Sequence, residues 1–118
     1  MNNIVCIDYE NRADIKKLFC FSDVKFVSFI GAEQQDKIKI EEGTKLSRKR
    51  MNRTGKDYLD WNLIMYIKNR LQQKDTKFYI VSDDNIFISF ANYINTTSNK
   101  KKIEIINKAR WNELKLGQ

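Results

Sequence analysis

Three stretches of this chain are predominantly apolar, the first almost without interruption, and segments of a different character separate them. Residues 3–8 read Asn-Ile-Val-Cys-Ile-Asp, residues 24–30 read Val-Lys-Phe-Val-Ser-Phe-Ile, and residues 77–82 read Lys-Phe-Tyr-Ile-Val-Ser. A strand with one face in water alternates polar and apolar residues, whereas a strand covered on both faces does not. Such runs therefore demand a mainly parallel sheet with cover on both sides. The segments between them supply that cover. Residues 12–20 carry helical spacing through Ile15, Leu18 and Phe19. Residues 57–72 carry it through Leu59, Leu63, Tyr66, Ile67 and Leu71. A helix is expected at about 85–95, and a last strand at 102–106 leads to a C-terminal helix through Trp111 and Leu114. Residues 37–41 alternate as a short, exposed strand, and residues 43–56 are a loop or a strand with a basic edge. The alternation predicts an α/β protein, a three-layer α/β/α sandwich with right-handed crossovers. The chain has 118 residues, no proline and no repeat or linker, so a single domain over 1–118 is expected.

The chain contains no histidine. Ser-His-Asp and Cys-His catalysis, His-ligated zinc and imidazole acid–base chemistry are thereby excluded. Its two cysteines, Cys6 and Cys20, cannot build a Cys-rich zinc site and are expected as buried thiols. No stretch approaches the length of a membrane span, and the N-terminal apolar run is too brief for a signal peptide. A reducing, cytoplasmic location is the expectation.

What remains for chemistry is carboxylates, and they fall at informative places. In open α/β sheets the functional crevice lies outside the carboxyl ends of the strands. The first strand ends at Asp8, with Glu10 two residues on, and the strand at 77–82 runs into Asp83 and Asp84. The alternative, given less weight at Asp8, is a capping role: Asp8 or Asn11 for a helix near residue 12, and Asp83 or Asp84 for the helix at Asn85. Two adjacent acids exceed what capping needs. Asp57 and Asp60 stand three apart at the start of the central helix, on neighbouring positions of one face. The helix dipole explains Asp57. It does not explain Asp60, which lies between Leu59 and Trp61. Carboxylates gathered at one sheet edge repel unless they bind cations or protons, and hard oxygen donors suit Mg²⁺ or Mn²⁺.

The surrounding charge points the same way. The chain carries 22 Lys and Arg against 15 Asp and Glu, for a net charge of +7. Residues 43–56 hold Lys45, Arg48, Lys49, Arg50, Arg53 and Lys56 with no acid, and the tail adds Lys100, Lys101, Lys102, Lys108 and Arg110. Charge segregated in this way fits a polyanion such as RNA or single-stranded DNA. Because the first basic segment leads directly into Asp57 and Asp60, it is expected to border the acids. Tyr9, Tyr58 and Trp61 lie in the same neighbourhood as stacking surfaces for unpaired bases, with Trp61 equally suited to the core. Acids for a metal inside a basic protein for phosphates is the layout expected of a metal-dependent nuclease. Two other readings fit the same charge. One is a non-catalytic nucleic-acid-binding module dependent on Arg48, Lys49, Arg50 and Arg53. The other is a protein-interaction module whose basic face meets an acidic partner.

Four segments in order resemble a known family. Ile7-Asp8-Tyr9-Glu10-Asn11 looks like the opening strand motif of NYN-type PIN-like domains. Phe29-Ile30-Gly31-Ala32-Glu33-Gln34 resembles that family's second strand and its Gly-x-x-Gln turn. Thr54-Gly55-Lys56-Asp57-Tyr58-Leu59-Asp60-Trp61 resembles its entry into the central helix, and Tyr79-Ile80-Val81-Ser82-Asp83-Asp84-Asn85-Ile86-Phe87 its strand ending in Ser-x-Asp. Together they cover about residues 4–95. The chain departs from the pattern at Asn85-Ile86, where the family often has glycine, and in the basic run at 43–56. The resemblance implies a PIN-like sandwich and a Mg²⁺- or Mn²⁺-dependent ribonuclease, in a family whose domains commonly pair as homodimers. Asp8, Asp60 and Asp84 would be its catalytic, metal-binding acids, with Asn11 and Ser82 in support. Asp83, Asp57 and Glu10 compete for the place of a fourth acid.

Overall fold

The computed structural model describes residues 1–118. Five parallel strands form the central sheet. They are β1 (Asn2–Asp8), β3 (Val24–Ile30), β5 (Lys45–Arg50), β6 (Thr76–Val81) and β7 (Ile103–Ile106), in the order β5-β3-β1-β6-β7. Two short strands, β2 (Lys17–Leu18) and β4 (Lys39–Ile40), pair separately in parallel. The helices are α1 (Tyr58–Lys68), α2 (Asn85–Ser98) and α3 (Lys108–Leu114). The α/β architecture read from the apolar runs is therefore the one observed.

The continuous apolar runs are explained by two cores, one on each face. Cys6, Val27, Phe29, Phe78 and Ile80 point toward Leu59, Leu63 and Ile67 of α1 and Phe87 and Ala91 of α2. Val5, Ile7, Phe26, Ile30 and Val81 point the other way, toward Trp111 of α3 and toward Ile15, Leu18 and Ile38 in the connecting segments. Successive residues of a strand face opposite sides, so only a strand apolar at nearly every position can serve both cores.

The helix expected over 12–20 is not formed. Ile15 and Leu18 are buried as their spacing suggested, but in an irregular segment that ends in β2. Local pairings compete with the helix. Arg12 Nε and Nη2 fork onto the Asp14 carboxylate at 2.9 and 3.1 Å, a contact between residues two apart that a helix holds on different faces. The backbone N–H groups of Lys16 and Lys17 both donate to the carbonyl of Gln118. A segment this short gains little from helix formation alone, so an alternative set of backbone partners wins. Residues 43–56, open between loop and strand, form the edge strand β5 and the turn after it.

Cys6 is buried in the sheet and burial pushes its thiol far up. Cys20 is exposed, contrary to expectation, because the chain around it is an irregular surface segment rather than a helix face. No helix is long and apolar enough to cross a membrane.

Gly117 closes the second layer. A Cβ there would collide with the Lys17 carbonyl and come within 3.0 Å of the Trp111 ring. Gly117→Ala is expected to cost about 1–3 kcal/mol through this overpacking, read as a lower urea midpoint at unchanged slope.

Candidate metal centre at the sheet switch point

β1 lies between β3 and β6, and the chain leaves β1 toward β3 but leaves β6 toward β7. Connections that diverge in this way open a crevice at the carboxyl ends of the two strands. Asp8 ends β1 and Ser82, Asp83 and Asp84 follow β6, so the crevice falls between them. The amino-terminal end of α1 closes it from above the sheet. An open, wholly polar pocket results, lined by Asp8, Glu10, Asn11, Asp57, Asp60 and Asp84.

Ser82 ties the pocket together. Its buried hydroxyl donates to Asp8 Oδ2 at 2.8 Å and accepts from the Asp84 backbone N–H at 3.0 Å. Asp8, only 2% exposed, also receives the Asn11 N–H at 3.4 Å. The Asn11 side chain in turn accepts from the Asp83 backbone N–H at 2.9 Å. The loops after β1 and β6 are thus cross-linked through Asn11 and Ser82, the two residues expected in support.

The acids separate into those in the pocket and one outside it. Asp84 caps α2, its Oδ1 accepting from the Ile86 N–H at 3.3 Å, and still lines the pocket. Asp83 turns away, and its Oδ1 accepts from the Lys108 N–H at 3.2 Å at the start of α3. It is therefore removed from the candidates for a fourth acid, while Asp57 and Glu10 remain. Asp57 occupies the N-cap position of α1 in the left-handed region, at φ 62, and makes no side-chain cap bond. Its carboxylate lines the pocket instead. Neither Asp8 nor Asn11 caps a helix near residue 12, because none forms there.

Burial, first of all, and then the charges of Asp8, Asp84, Asp57 and Glu10 push the Asp60 carboxyl up to about 6. Asp8 is also raised, chiefly by burial, with the Ser82 and Asn11 hydrogen bonds opposing and the charges of Glu10 and Asp84 adding to the rise. No lysine or arginine forms an ion pair with any of these acids. Five carboxylates sharing one pocket without a cationic partner have the hard-oxygen donor chemistry that suits Mg²⁺ or Mn²⁺. In this structure no three of them close to the spacing of a single-ion ligand set. Unneutralised like charges favour such separation.

Gln34 has a structural role that its place in a Gly-x-x-Gln turn does not by itself reveal. Its amide accepts from the Gly31 N–H at 3.0 Å and donates to the Tyr9 carbonyl at 2.9 Å, joining the loops after β1 and β3. The signal was present as the Gly-x-x-Gln turn. Beside it, Gly31 leaves room for the Glu10 carboxylate, which would stand 2.8 Å from a Cβ at that position.

The six basic residues of 43–56 do not act as one patch. Strand alternation sends Arg48 and Arg50 to one face and Lys49 to the other. Arg48 pairs with Asp36 at 3.0 Å and donates to the Ile38 carbonyl. Arg50 donates to the carbonyls of Gly31, Ala32 and Gln34, clamping the loop after β3. Lys45 begins β5, at the sheet end opposite the acids. Lys49, Arg53 and Lys56 make no ion pair. Lys49 stands over the Tyr66 ring, Arg53 over the Tyr58 ring, and Lys56 is exposed just before α1. Of the aromatic residues, Tyr9 is buried in the second core and presents no face to a base. Trp61 is 56% exposed rather than core.

Comparisons with family models, curated proteins and solved structures return no match to this chain.

Proposed function

We propose that this protein is a Mg²⁺- or Mn²⁺-dependent endoribonuclease of PIN-like type that hydrolyses single-stranded RNA. One observation carries the reading: Asp8, Asp60 and Asp84, from three separate elements, line one pocket with Glu10 and Asp57 and have no cationic partner of the protein's own. A bound divalent ion supplies charge neutralisation at the phosphodiester and a water of lowered pKa. Asp8, Asp60 and Asp84 would hold it. Ser82 keeps Asp8 aligned through its short hydrogen bond, and the same hydroxyl fixes the backbone of Asp84. Glu10 and Asp57 stand at the rim, where a carboxylate accepts a proton from an attacking water. Lys49, Arg53 and Lys56 offer the phosphate backbone positive charge on the α1 side.

The test is cleavage of end-labelled single-stranded RNA and DNA with Mn²⁺, Mg²⁺ or EDTA, wild type beside Asp8→Asn. Cutting that needs the metal and disappears in the variant is the expected outcome. Binding without cutting, equal in both proteins, supports a non-catalytic nucleic-acid module. Neither cutting nor binding supports a protein partner.

A further inference from the structure

One cleft adjoins the acidic pocket, and a second adjoins the first. The first, of about 310 Å³, has Glu10 in common with the acids and runs between the loop after β3 and the Arg53-Thr54-Gly55 turn. The second, of about 420 Å³, continues along β5 toward Lys49 and Tyr66. Met51 and Tyr58 line both clefts. Tyr58 stands between them, and its hydroxyl donates to Asn52 Oδ1 at 2.7 Å.

We propose that these clefts are a two-nucleotide track for an unpaired RNA strand, one nucleotide on each side of Tyr58, running from the acidic pocket along β5. The proposal rests on the nuclease reading for the identity of the strand, but its geometry is separate. Each cleft is at the small end of the range that binds organic ligands, about 300–1,000 Å³, so each suits one nucleotide and neither suits a base pair. Apolar side chains line part of each, Leu59 in the first cleft, Phe29 in the second and Met51 in both, and the carboxylates of Glu10 and Glu33 also line the first. Arg53 lines the first cleft and Lys49 and Arg50 the second; Arg53 and Lys49 make no ion pair and stand over the Tyr58 and Tyr66 rings. A ring flanked by apolar side chains and a cation is the arrangement by which single strands are held without base reading. The Tyr66 ring contributes support rather than a stacking surface. Arg70 stacks on it at 3.7 Å and its centroid stands 5.5 Å from that of Phe29.

The test is fluorescence anisotropy of labelled 12-nucleotide RNA, its duplex and the matching single-stranded DNA, with the full chain in EDTA. Tyr58→Ala is expected to weaken single-strand binding about tenfold or more, and Tyr58→Phe to restore most of it. Arg53→Gln and Lys49→Gln are each expected to lower the slope of log K against log salt by about 0.7. The charge-matched control Lys25→Gln, at the far end of the sheet, should leave the slope within error. Equal losses in the Lys25, Arg53 and Lys49 variants, or duplex binding as tight as single-strand binding, would overturn the track. Photocrosslinking of 4-thiouridine RNA to the unaltered protein gives an independent readout. Adducts at Tyr58 or Met51 are expected, and adducts confined to residues outside the two clefts would sink the idea. Crosslinks in the clefts with no metal-dependent cutting would remove the nuclease reading and keep the track. Metal-dependent cutting with Tyr58→Ala binding unchanged would do the reverse.

Discussion

Asp60→Asn is expected to make the protein more stable in EDTA and inactive in Mn²⁺. Asp60 lies in the first turn of α1, only 9% exposed, and faces the charges of Asp8, Asp84, Asp57 and Glu10. Removing its charge relieves that repulsion. The gain should be about 1 kcal/mol, since solvent in the open pocket screens much of the effect. That corresponds to a rise in Tm of about 4 °C. The direction of the pH dependence follows from the same group. Its carboxyl titrates at about 6 when folded against 3.8 as a free side chain. Between those values the folded state holds more protons than the unfolded state, so stability falls as pH rises through the window and is highest at its acid end. The raised Asp8 carboxyl acts in the same sense. In the variant the Asp60 part of this slope should be missing. Cleavage should fall by at least about 10²–10³-fold. Mn²⁺ at a hundredfold excess over its Kd should stabilise the wild type by about 2.7 kcal/mol and leave the variant nearly unmoved. Differential scanning fluorimetry across pH 4–8, with Mn²⁺ and with EDTA, reads all of this. A variant less stable than wild type in EDTA would show that Asp60 is a structural acid.

Ser82→Ala should be costly in both stability and metal binding. Its hydroxyl is buried and joins Asp8 to the Asp84 backbone. Without it, a carboxylate oxygen and an N–H lose their partner together. The loss is expected at about 2 kcal/mol, typical of a hydrogen bond to a charged group. Asp8 loses the chief hydrogen bond opposing its raised pKa, so it should hold its proton to higher pH. Mn²⁺ affinity should drop about 10–100-fold, as when a residue that orients a ligand is removed. Cleavage at saturating Mn²⁺ should recover in part, most at higher pH. Urea denaturation and Mn²⁺ titrations at pH 6 and pH 8 separate the effects. Unchanged affinity at both pH values would mean that Ser82 only braces the loops.

The sheet was legible because burial on both faces leaves a mark that exposure does not. Val5, Cys6 and Ile7 follow one another without a polar break, and the structure sends Cys6 to one core and Val5 and Ile7 to the other. The acids were legible because Asp8 and Asp84 fall at strand ends and Asp60 interrupts an apolar helix. The spacing over 12–20 predicts a helix that does not form, because Ile15 and Leu18 reach the core from an irregular backbone as well as from a helix. Spacing reports which residues are buried, and the backbone goes to whatever hydrogen-bond partners are nearest. Those partners were at Gln118, a hundred residues away in the chain.

The sequence by itself determined the sheet, its two-sided cover and the acids at its carboxyl edge, since patterning and desolvation act on neighbours in the chain. Tertiary structure alone decided which charges are available. Asp83 went to the start of α3, Arg48 to Asp36 and Arg50 to the loop after β3, leaving Asp57 and Glu10 beside the three core acids and Lys49 and Arg53 beside the clefts. A charged group's role depends on the partner it reaches, and partners distant in sequence meet only when the sheet is assembled.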